Sequence, residues 1–214
     1  MNYFFKKRKR FLYVITVFLL LPFLLVLDSC TEKEEEAYWI ENGGYKSFMK
    51  TSTGSIIHVE GSILMSINFS DEDYKLAAEA ACIEANRFSN ITVTVLPFSF
   101  DGSFSFNLSN EGEGGSHNYA TTYNSYDGYN GKIVESRIDF NVDMMKYCSL
   151  SEKKHVAIHE MGHVLGLTDV YDDAILREDA TVMYYLADAG ATLTSFGRWD
   201  IQNIIYYYGG EYNS

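Results

Sequence analysis

The segment from His159 to Asp169 constrains this chain more than any other part of its sequence. His159 and His163 are four residues apart, so on a helix both imidazoles project from one face. Two neutral imidazoles at that spacing suit Zn²⁺. Glu160 lies beside the first histidine without being needed as a ligand, which suits a general base acting on a zinc-bound water. The segment therefore predicts a helix that carries a metal-dependent hydrolytic centre.

A third ligand is expected shortly after the helix. Gly166 can end the helix in a left-handed turn that most side chains resist, and the chain can then return so that Asp169 offers an oxygen. Three protein ligands and one open position form the catalytic arrangement of zinc. His155, one turn before His159, would close the site as a fourth ligand, or would support the site from outside it. The alternative is a buried helix with ordinary histidines.

The front of the chain has the composition of a secretory signal. Residues 6–10 are all basic, and residues 11–27 carry no charge. An apolar helix of this length spans about 25 Å, which is short of the ~30 Å hydrocarbon core, although a retained membrane anchor is the alternative. The Leu-Asp-Ser-Cys sequence that ends at Cys30 resembles a bacterial lipoprotein processing site. We therefore expect a signal peptide over residues 1–29 and a lipidated Cys30.

An acidic segment follows this cysteine. We expect residues 30–50 to form a tether and residues 51–214 to form the catalytic domain. Lys33-Glu34-Glu35 resembles the acidic tags that send some outer-membrane lipoproteins to the cell surface; the alternative is a solvated linker. The sequence thus predicts an outer-membrane lipoprotein of the bacterial cell envelope that faces the periplasm or the surface.

The charge balance limits the partners of the mature chain. Removing residues 1–29 takes away five basic residues and one acidic residue, so the net charge changes from −12 to −16. Such a charge disfavours nucleic acid and anionic lipid as partners of the folded part. We expect a monomer that is held at a membrane by its lipid alone. Cys82 and Cys148 could form a disulfide in an oxidising compartment, but their spacing does not decide this.

Hydrophobic periodicity predicts an α+β fold, or an α/β sandwich, with helices over one face of a single sheet. Leu76, Ala80, Ile83 and Arg87 share a stripe of the first helix. Ser70, Ser151 and Ser195 are the expected helix caps, and Gly209 with Gly210 should stop the last helix. The predicted order is a strand over 55–69, a helix over 70–88, strands over 90–96, 103–108, 117–123 and 131–140, the motif helix and a closing helix.

These residues resemble a known family. The run from His159 to Asp169 is similar to the extended zinc motif of the metzincin metalloproteases, and residues 181–185 resemble their Met-turn, whose methionine, here Met183, underlies the zinc. Residues 193–209 are similar to the closing helix of matrixin-type members. The resemblance covers roughly residues 55–209. It implies a twisted mixed sheet with two long helices, a zinc cleft and a small C-terminal subdomain that holds the Met-turn and the closing helix.

The sequence departs from the matrixin pattern in three respects. Asp169 stands where most matrixins have histidine, although aspartate occurs there in small bacterial metzincins that resemble snapalysin. Residues 31–54 are too short for an inhibitory propeptide and lack its cysteine motif. The histidine-rich segment that holds a second zinc in many matrixins is also absent from the sequence. A carboxylate as third ligand would reduce the net positive charge of the site.

Further roles follow from the resemblance alone. Astacin-like and serralysin-like members have a tyrosine two residues after the Met-turn methionine, which implies that Tyr185 stabilises the tetrahedral intermediate; the alternative is a core aromatic residue. Asp172 and Asp173 are alternative metal ligands or oxygens of a structural Ca²⁺ site, or else belong to a solvated loop.

The sequence therefore predicts a zinc metalloendopeptidase that uses one catalytic Zn²⁺. Glu160 would activate the zinc-bound water and then protonate the leaving amine of a protein or peptide substrate. The substrate would lie extended along an edge strand near residues 114–123. The alternatives are a non-catalytic zinc-containing surface binding lipoprotein, a gluzincin-type hydrolase with Glu178 as third ligand, and a hydrolase of a non-peptidic amide such as a cell-wall cross-link.

Overall fold

The structure, a computed structural model, describes residues 48–97, 102–110, 118–171, 181–184 and 193–214. These residues belong to one compact unit, Lys46–Ser214. The predicted signal segment and most of the predicted tether lie outside the described residues, as do five residues singled out from the sequence: Cys30, Asp172, Asp173, Glu178 and Tyr185. Within the described ranges, none of the helices has both the length and the apolar character that a membrane crossing requires.

The described strands form one five-stranded sheet in which only the last edge strand is antiparallel to its neighbour. The strands are β1 (Ser62–Ile67), β2 (Thr92–Val95), β3 (Phe104–Ser109), β4 (Ala120–Tyr126) and β5 (Ile133–Asn141). Their order across the sheet is β2-β1-β3-β5-β4, so β4 lies at an edge. The parallel pair β1 and β2 is joined through a long helix, because parallel strands require a crossover.

The described residues also contain four helices. They are α1 (Glu72–Ala85), α2 (Val142–Met145), α3 (Leu150–Val164) and α4 (Arg198–Tyr208). The two long helices α1 and α3 pack against each other, and α3 also contacts β4 and β5. The predicted α+β class, with a mixed sheet and two long helices, is confirmed. The four-residue α2 was not predicted, because so short a helix leaves no readable period in the sequence.

The alternation of apolar residues predicted which segments form strands, but it predicted less well where each strand begins and ends. The strand predicted over 55–69 is limited to β1, because Gly61 has a φ of +73° and interrupts the extended backbone just before Ser62. The edge strand predicted over 117–123 is observed as β4 and does lie at the edge of the sheet. Its pairing with β5 turns alternate side chains of β4 toward α3.

The packed face of α1 is made of small side chains. Short side chains allow the axes of α1 and α3 to approach closely. The predicted stripe through Leu76 and Ile83 lies on the other side of the helix, where these residues are 37% and 64% exposed. The helix begins after Asp71, whose side chain accepts a hydrogen bond from the Tyr74 backbone N–H, so the predicted cap at Ser70 is wrong by one residue. The completely buried alanines of α1 are Ala77, Ala78, Ala81 and Ala85.

Helix α3, which carries the predicted zinc-binding motif, begins with a capping box. The Ser149 hydroxyl accepts a hydrogen bond from the Glu152 backbone N–H, and the Glu152 carboxylate accepts one from the Ser149 backbone N–H at 2.6 Å. The predicted cap at Ser151 is therefore wrong, because only Ser149 has a glutamate three residues later. The inward packing predicted for the apolar residues of this helix is confirmed, since Ile158 and Val164 are completely buried.

The closing helix α4 also starts later than predicted. Its cap is Gly197 rather than Ser195, and the carboxylate of Asp200 accepts a hydrogen bond from the Gly197 N–H at 2.9 Å. The acid three residues into the helix thus replaces a capping side chain. The predicted stop is confirmed, because the C-cap is Gly209 with a φ of +68°.

The disulfide considered from the sequence is not formed. Cys82 is a buried free thiol on α1, and Cys148 is a partly buried free thiol ahead of α3. Burial raises the pKa of Cys82 to about 12, so its reactive thiolate is scarce at neutral pH.

The turn after α3 is held by the segment that precedes the sheet. Gly166 has a φ of +91°, as predicted for the end of the motif helix, and its carbonyl accepts a hydrogen bond from the Met49 N–H at 2.8 Å. A side chain at Gly166 would collide with the carbonyl oxygen of Ile57. Two independent constraints therefore require glycine at this position, left-handed backbone and close approach of another segment.

We expect Gly166→Ala to lower the free energy of unfolding by more than the ~1–2 kcal/mol of left-handed strain, because it adds a steric collision. Gly61→Ala is the matched control, since Gly61 has a φ of +73° but open space around it. Thermal or urea unfolding of both variants measures the difference. Equal losses for the two variants would show that the contact with Ile57 has no energetic weight.

Candidate metal centre

The two imidazoles of α3 are oriented by backbone carbonyls. The Nδ1 atom of His159 lies 2.8 Å from the Val182 carbonyl oxygen, and that of His163 lies 2.9 Å from the Leu167 carbonyl oxygen. A carbonyl oxygen can only accept, so both Nδ1 atoms carry a hydrogen. In the neutral rings, Nε2 then keeps its lone pair, which is the state required of a metal ligand.

The turn at Gly166 brings Asp169 back to these rings. One carboxylate oxygen, Oδ1, lies 3.1 Å from the Nε2 of His159 and 3.3 Å from the Nε2 of His163. Ligand atoms of all three residues lie within 4.8 Å of one another. Tetrahedral Zn²⁺ with bonds of about 2.0–2.1 Å would hold its ligand atoms roughly 3.3–3.4 Å apart. The donor set, two imidazole nitrogens and one carboxylate oxygen, therefore fits zinc in chemistry and in spacing.

Without a metal, the carboxylates of the centre favour a second proton on His159, which a metal ion would have to displace. Burial raises the pKa of Asp169, but its hydrogen bonds with His159 and His163 outweigh burial and hold the pKa well below the usual range. Burial lowers the pKa of His159, but the hydrogen bond with Asp169 and the charge of Glu160 outweigh it and raise the pKa to about 9. Tyr171 donates a hydrogen bond to the second oxygen of Asp169 at 3.2 Å.

Met183 lies directly beneath the motif helix. Its side chain is 1% exposed, and its sulfur touches the position that a Cβ of Gly162 would occupy. Gly162 stands one residue before His163, so only a glycine lets the methionine approach the helix between the two histidines. Met183 is also tied to the returning chain, because its carbonyl accepts a hydrogen bond from the Val170 N–H at 2.8 Å.

A buried carboxylate joins this turn to the closing helix. Asp200, 3% exposed, accepts hydrogen bonds from the Thr181 hydroxyl at 2.5 Å and from the Val182 N–H at 2.7 Å, in addition to the Gly197 N–H. Burial raises the pKa of Asp200 to about 6, although these hydrogen bonds act against the rise. The carbonyl of Val182 orients His159, and the N–H of Val182 binds Asp200. Asp200 therefore positions that histidine indirectly, through Val182. Sequence reasoning missed the role of Asp200, since an acid in a first helical turn is ordinarily solvated.

Glu160 is buried beside the histidines. It is 5% exposed, and its Oε2 atom accepts a hydrogen bond from the hydroxyl of Thr122 on β4 at 2.6 Å. The two residues are 38 positions apart in sequence, so only the packing of α3 on the edge strand reveals the contact. Sequence reasoning missed Thr122, because no spacing rule connects it to the motif.

One open cleft of about 580 Å³ between α3 and β4 is lined by the three predicted ligands, by Glu160 and by Thr122. His155 also lines the cleft, but its Nδ1 lies 3.0 Å from the Leu193 carbonyl oxygen, and it is not part of the three-residue cluster. Burial lowers the pKa of His155. Tyr185 lies outside the described residues, whereas its neighbour Tyr184 lines the cleft. Other lining residues are Met49, Asn118, Tyr119, Ala120, Thr121 and Asn124.

Comparison with solved structures shows distant likenesses. The chain is similar to a structure of myroilysin at 14% identity and a TM-score of 0.46, over 71% of this chain and 94% of that one. High choriolytic enzyme 1, a hatching enzyme zinc-protease from Oryzias latipes (medaka fish), matches at 13% identity and a TM-score of 0.42, over 78% and 96%. A second myroilysin structure matches at 16% and 0.36, over 80% and 72%.

No protein-family model matches the chain, and no curated protein matches its sequence. At the identities and TM-scores of the structural matches, the likeness assigns neither a ligand nor an activity.

The buried carboxyl of Asp200 leads to a pH dependence of stability. Its folded pKa of about 6 exceeds the ~3.9 of an unfolded aspartate. The stability that protonation of Asp200 contributes is thus present at pH 4 and lost as pH rises through 6, by at most about 3 kcal/mol. Asp200→Asn cannot titrate, so the wild-type advantage in unfolding free energy should shrink between pH 4 and 7 in the presence of a chelator. An advantage that grows with pH would show that the three hydrogen bonds keep Asp200 ionised in the folded protein.

Proposed function

We propose that this protein is a zinc-dependent metalloendopeptidase of metzincin type, with His159, His163 and Asp169 as metal ligands and Glu160 as general base. The observation that carries the proposal is the convergence of two Nε2 atoms and one carboxylate oxygen next to a buried glutamate in an open cleft. The sulfur of Met183 under the helix adds support, because it matches the Met-turn resemblance in the sequence.

The reaction follows from the placement of these groups. When bound, Zn²⁺ supplies a Lewis acid that lowers the pKa of a water towards about 7 and polarises a carbonyl oxygen. The Glu160 carboxylate accepts the proton of the attacking water and later delivers it to the leaving amide nitrogen. Because Thr122 engages Oε2, the other oxygen, Oε1, is the one left for this proton. The burial of Glu160 keeps bulk water from competing for the proton.

The substrate that fits this cleft best is an extended peptide. β4 is an edge strand, paired with β5 on one side, and residues 118–122 and 124 line the cleft. A peptide can therefore add to β4 through main-chain hydrogen bonds, while pockets along the cleft select its side chains. We therefore propose that the peptide binds along the predicted 114–123 region, of which residues 118–123 are described.

The cellular setting is proposed from the sequence. The resemblance of the sequence at Cys30 to a lipoprotein processing site supports a lipid-anchored envelope protein. Equal solubility of the wild type and the Cys30→Ser variant would contradict this anchor. Stabilisation of the intermediate by Tyr185 likewise rests on the resemblance. No contact of the described residues supports a calcium site.

The proposal predicts that Glu160→Gln retains bound zinc but loses about 10²–10⁴-fold in peptide hydrolysis, because the amide cannot accept the proton. Zinc content by elemental analysis and cleavage of a quenched-fluorescence peptide library measure the two properties on one sample. Glu135→Gln, an exposed glutamate of β5, is the matched control and should cleave as the wild type does.

Two outcomes would contradict the proposal. Full activity of Glu160→Gln would exclude Glu160 as the general base. Stoichiometric zinc in the wild type without cleavage of any library peptide would favour the non-catalytic binding lipoprotein instead.

A further inference from the structure

The edge strand β4 turns one polar side chain toward the catalytic glutamate. Thr122 pairs with Ile138 of β5, and Ile138 is completely buried, so the side chain of Thr122 points to the same buried face of the sheet. There its hydroxyl meets Glu160. We propose that Thr122 is a positioning residue that holds the carboxylate of the general base in its working orientation. This inference rests on the proposed function.

The hydroxyl of Thr122 has two acceptors within reach. Its Oγ1 lies 2.6 Å from Oε2 of Glu160 and 3.2 Å from the backbone carbonyl oxygen of the same residue. A hydroxyl has one hydrogen, and the shorter contact to a charged acceptor is the stronger one. The hydrogen is therefore directed mainly at the carboxylate, and the carbonyl oxygen is at most a weak second acceptor.

This contact determines how the carboxylate is presented. With Oε2 engaged by Thr122, rotation of the carboxylate is restrained. Glu160 is 5% exposed, so few water molecules could take the place of the hydroxyl. A general base must lie within hydrogen-bond reach of the proton that it removes, so loss of this restraint would spread Glu160 over non-productive orientations.

A second contact fixes the same strand to the same helix. The side-chain amide of Asn124 donates a hydrogen bond to the His163 carbonyl oxygen at 2.9 Å. Thr122 and Asn124 therefore anchor β4 to α3 at the general base and at a predicted metal ligand. Because a bound peptide would add to β4, docking of the substrate and orientation of the base share one backbone segment.

The test compares three zinc-loaded variants. Thr122→Val keeps the branched shape but cannot donate, and it should lower kcat by about tenfold to 100-fold, which is part of the 10²–10⁴-fold contribution of a general base, while KM stays within about twofold. Thr122→Ser restores the hydroxyl and should recover most of kcat. Thr94→Val, at an exposed threonine of the opposite edge strand β2, should match the wild type. Zinc content should be equal in all three.

Two kinetic results would overturn the proposal. One is a Thr122→Val enzyme with wild-type kcat. The other is a Thr122→Ser enzyme that is as impaired as Thr122→Val at equal zinc content. That result would show that kcat depends on the methyl group or the strand and not on the hydroxyl.

A crystal structure of the zinc-loaded wild type gives a test that needs neither the variant nor activity. Oγ1 of Thr122 should lie within hydrogen-bond distance of a Glu160 carboxylate oxygen, and a separation beyond about 3.5 Å would overturn the proposal. If the wild type cleaves no peptide, the proposed function fails, while this distance still decides whether Thr122 holds Glu160.

Discussion

The candidate centre depends on two hydrogen bonds between imidazoles and backbone carbonyls. The carbonyls of Val182 and Leu167 fix one hydrogen of His159 and one of His163 on Nδ1, so both Nε2 atoms, the atoms that would bind a metal, face Asp169. A side-chain partner could change its rotamer or its protonation state, whereas a carbonyl can do neither. The readiness of the site for a metal is thus set by the course of the main chain through two turns.

Each of these turns is held from elsewhere in the fold. The turn with Leu167 depends on Gly166, where left-handed backbone and the closeness of Ile57 exclude a side chain. The turn with Val182 depends on Asp200, which binds its N–H from the first turn of α4. The closing helix and the segment before the sheet therefore contribute to the geometry of the centre, although neither supplies a ligand.

The sequence predicted the centre better than its surroundings. A four-residue histidine spacing and a helix-ending glycine are local features, so His159, His163, Gly166 and Asp169 could be brought together without a structure. Thr122 and Asp200 could not, because their roles arise where distant segments meet. The buried face of α1 was also missed, since its alanines carry less hydrophobic signal than the exposed Leu76 and Ile83. The alternation of apolar residues predicted the strands of the sheet, but it did not predict the interruption at Gly61.

We propose that these two imidazoles and the carboxylate of Asp169 bind one zinc ion. X-ray absorption at the zinc edge tests it most directly on the full-length protein reconstituted with one equivalent of metal. We expect a first shell of nitrogen and oxygen at about 2.0–2.1 Å with the outer-shell scattering of two imidazoles, and loss of one oxygen ligand in Asp169→Ala. A sulfur scatterer at about 2.3 Å, a third imidazole, or an unchanged shell in Asp169→Ala would contradict it.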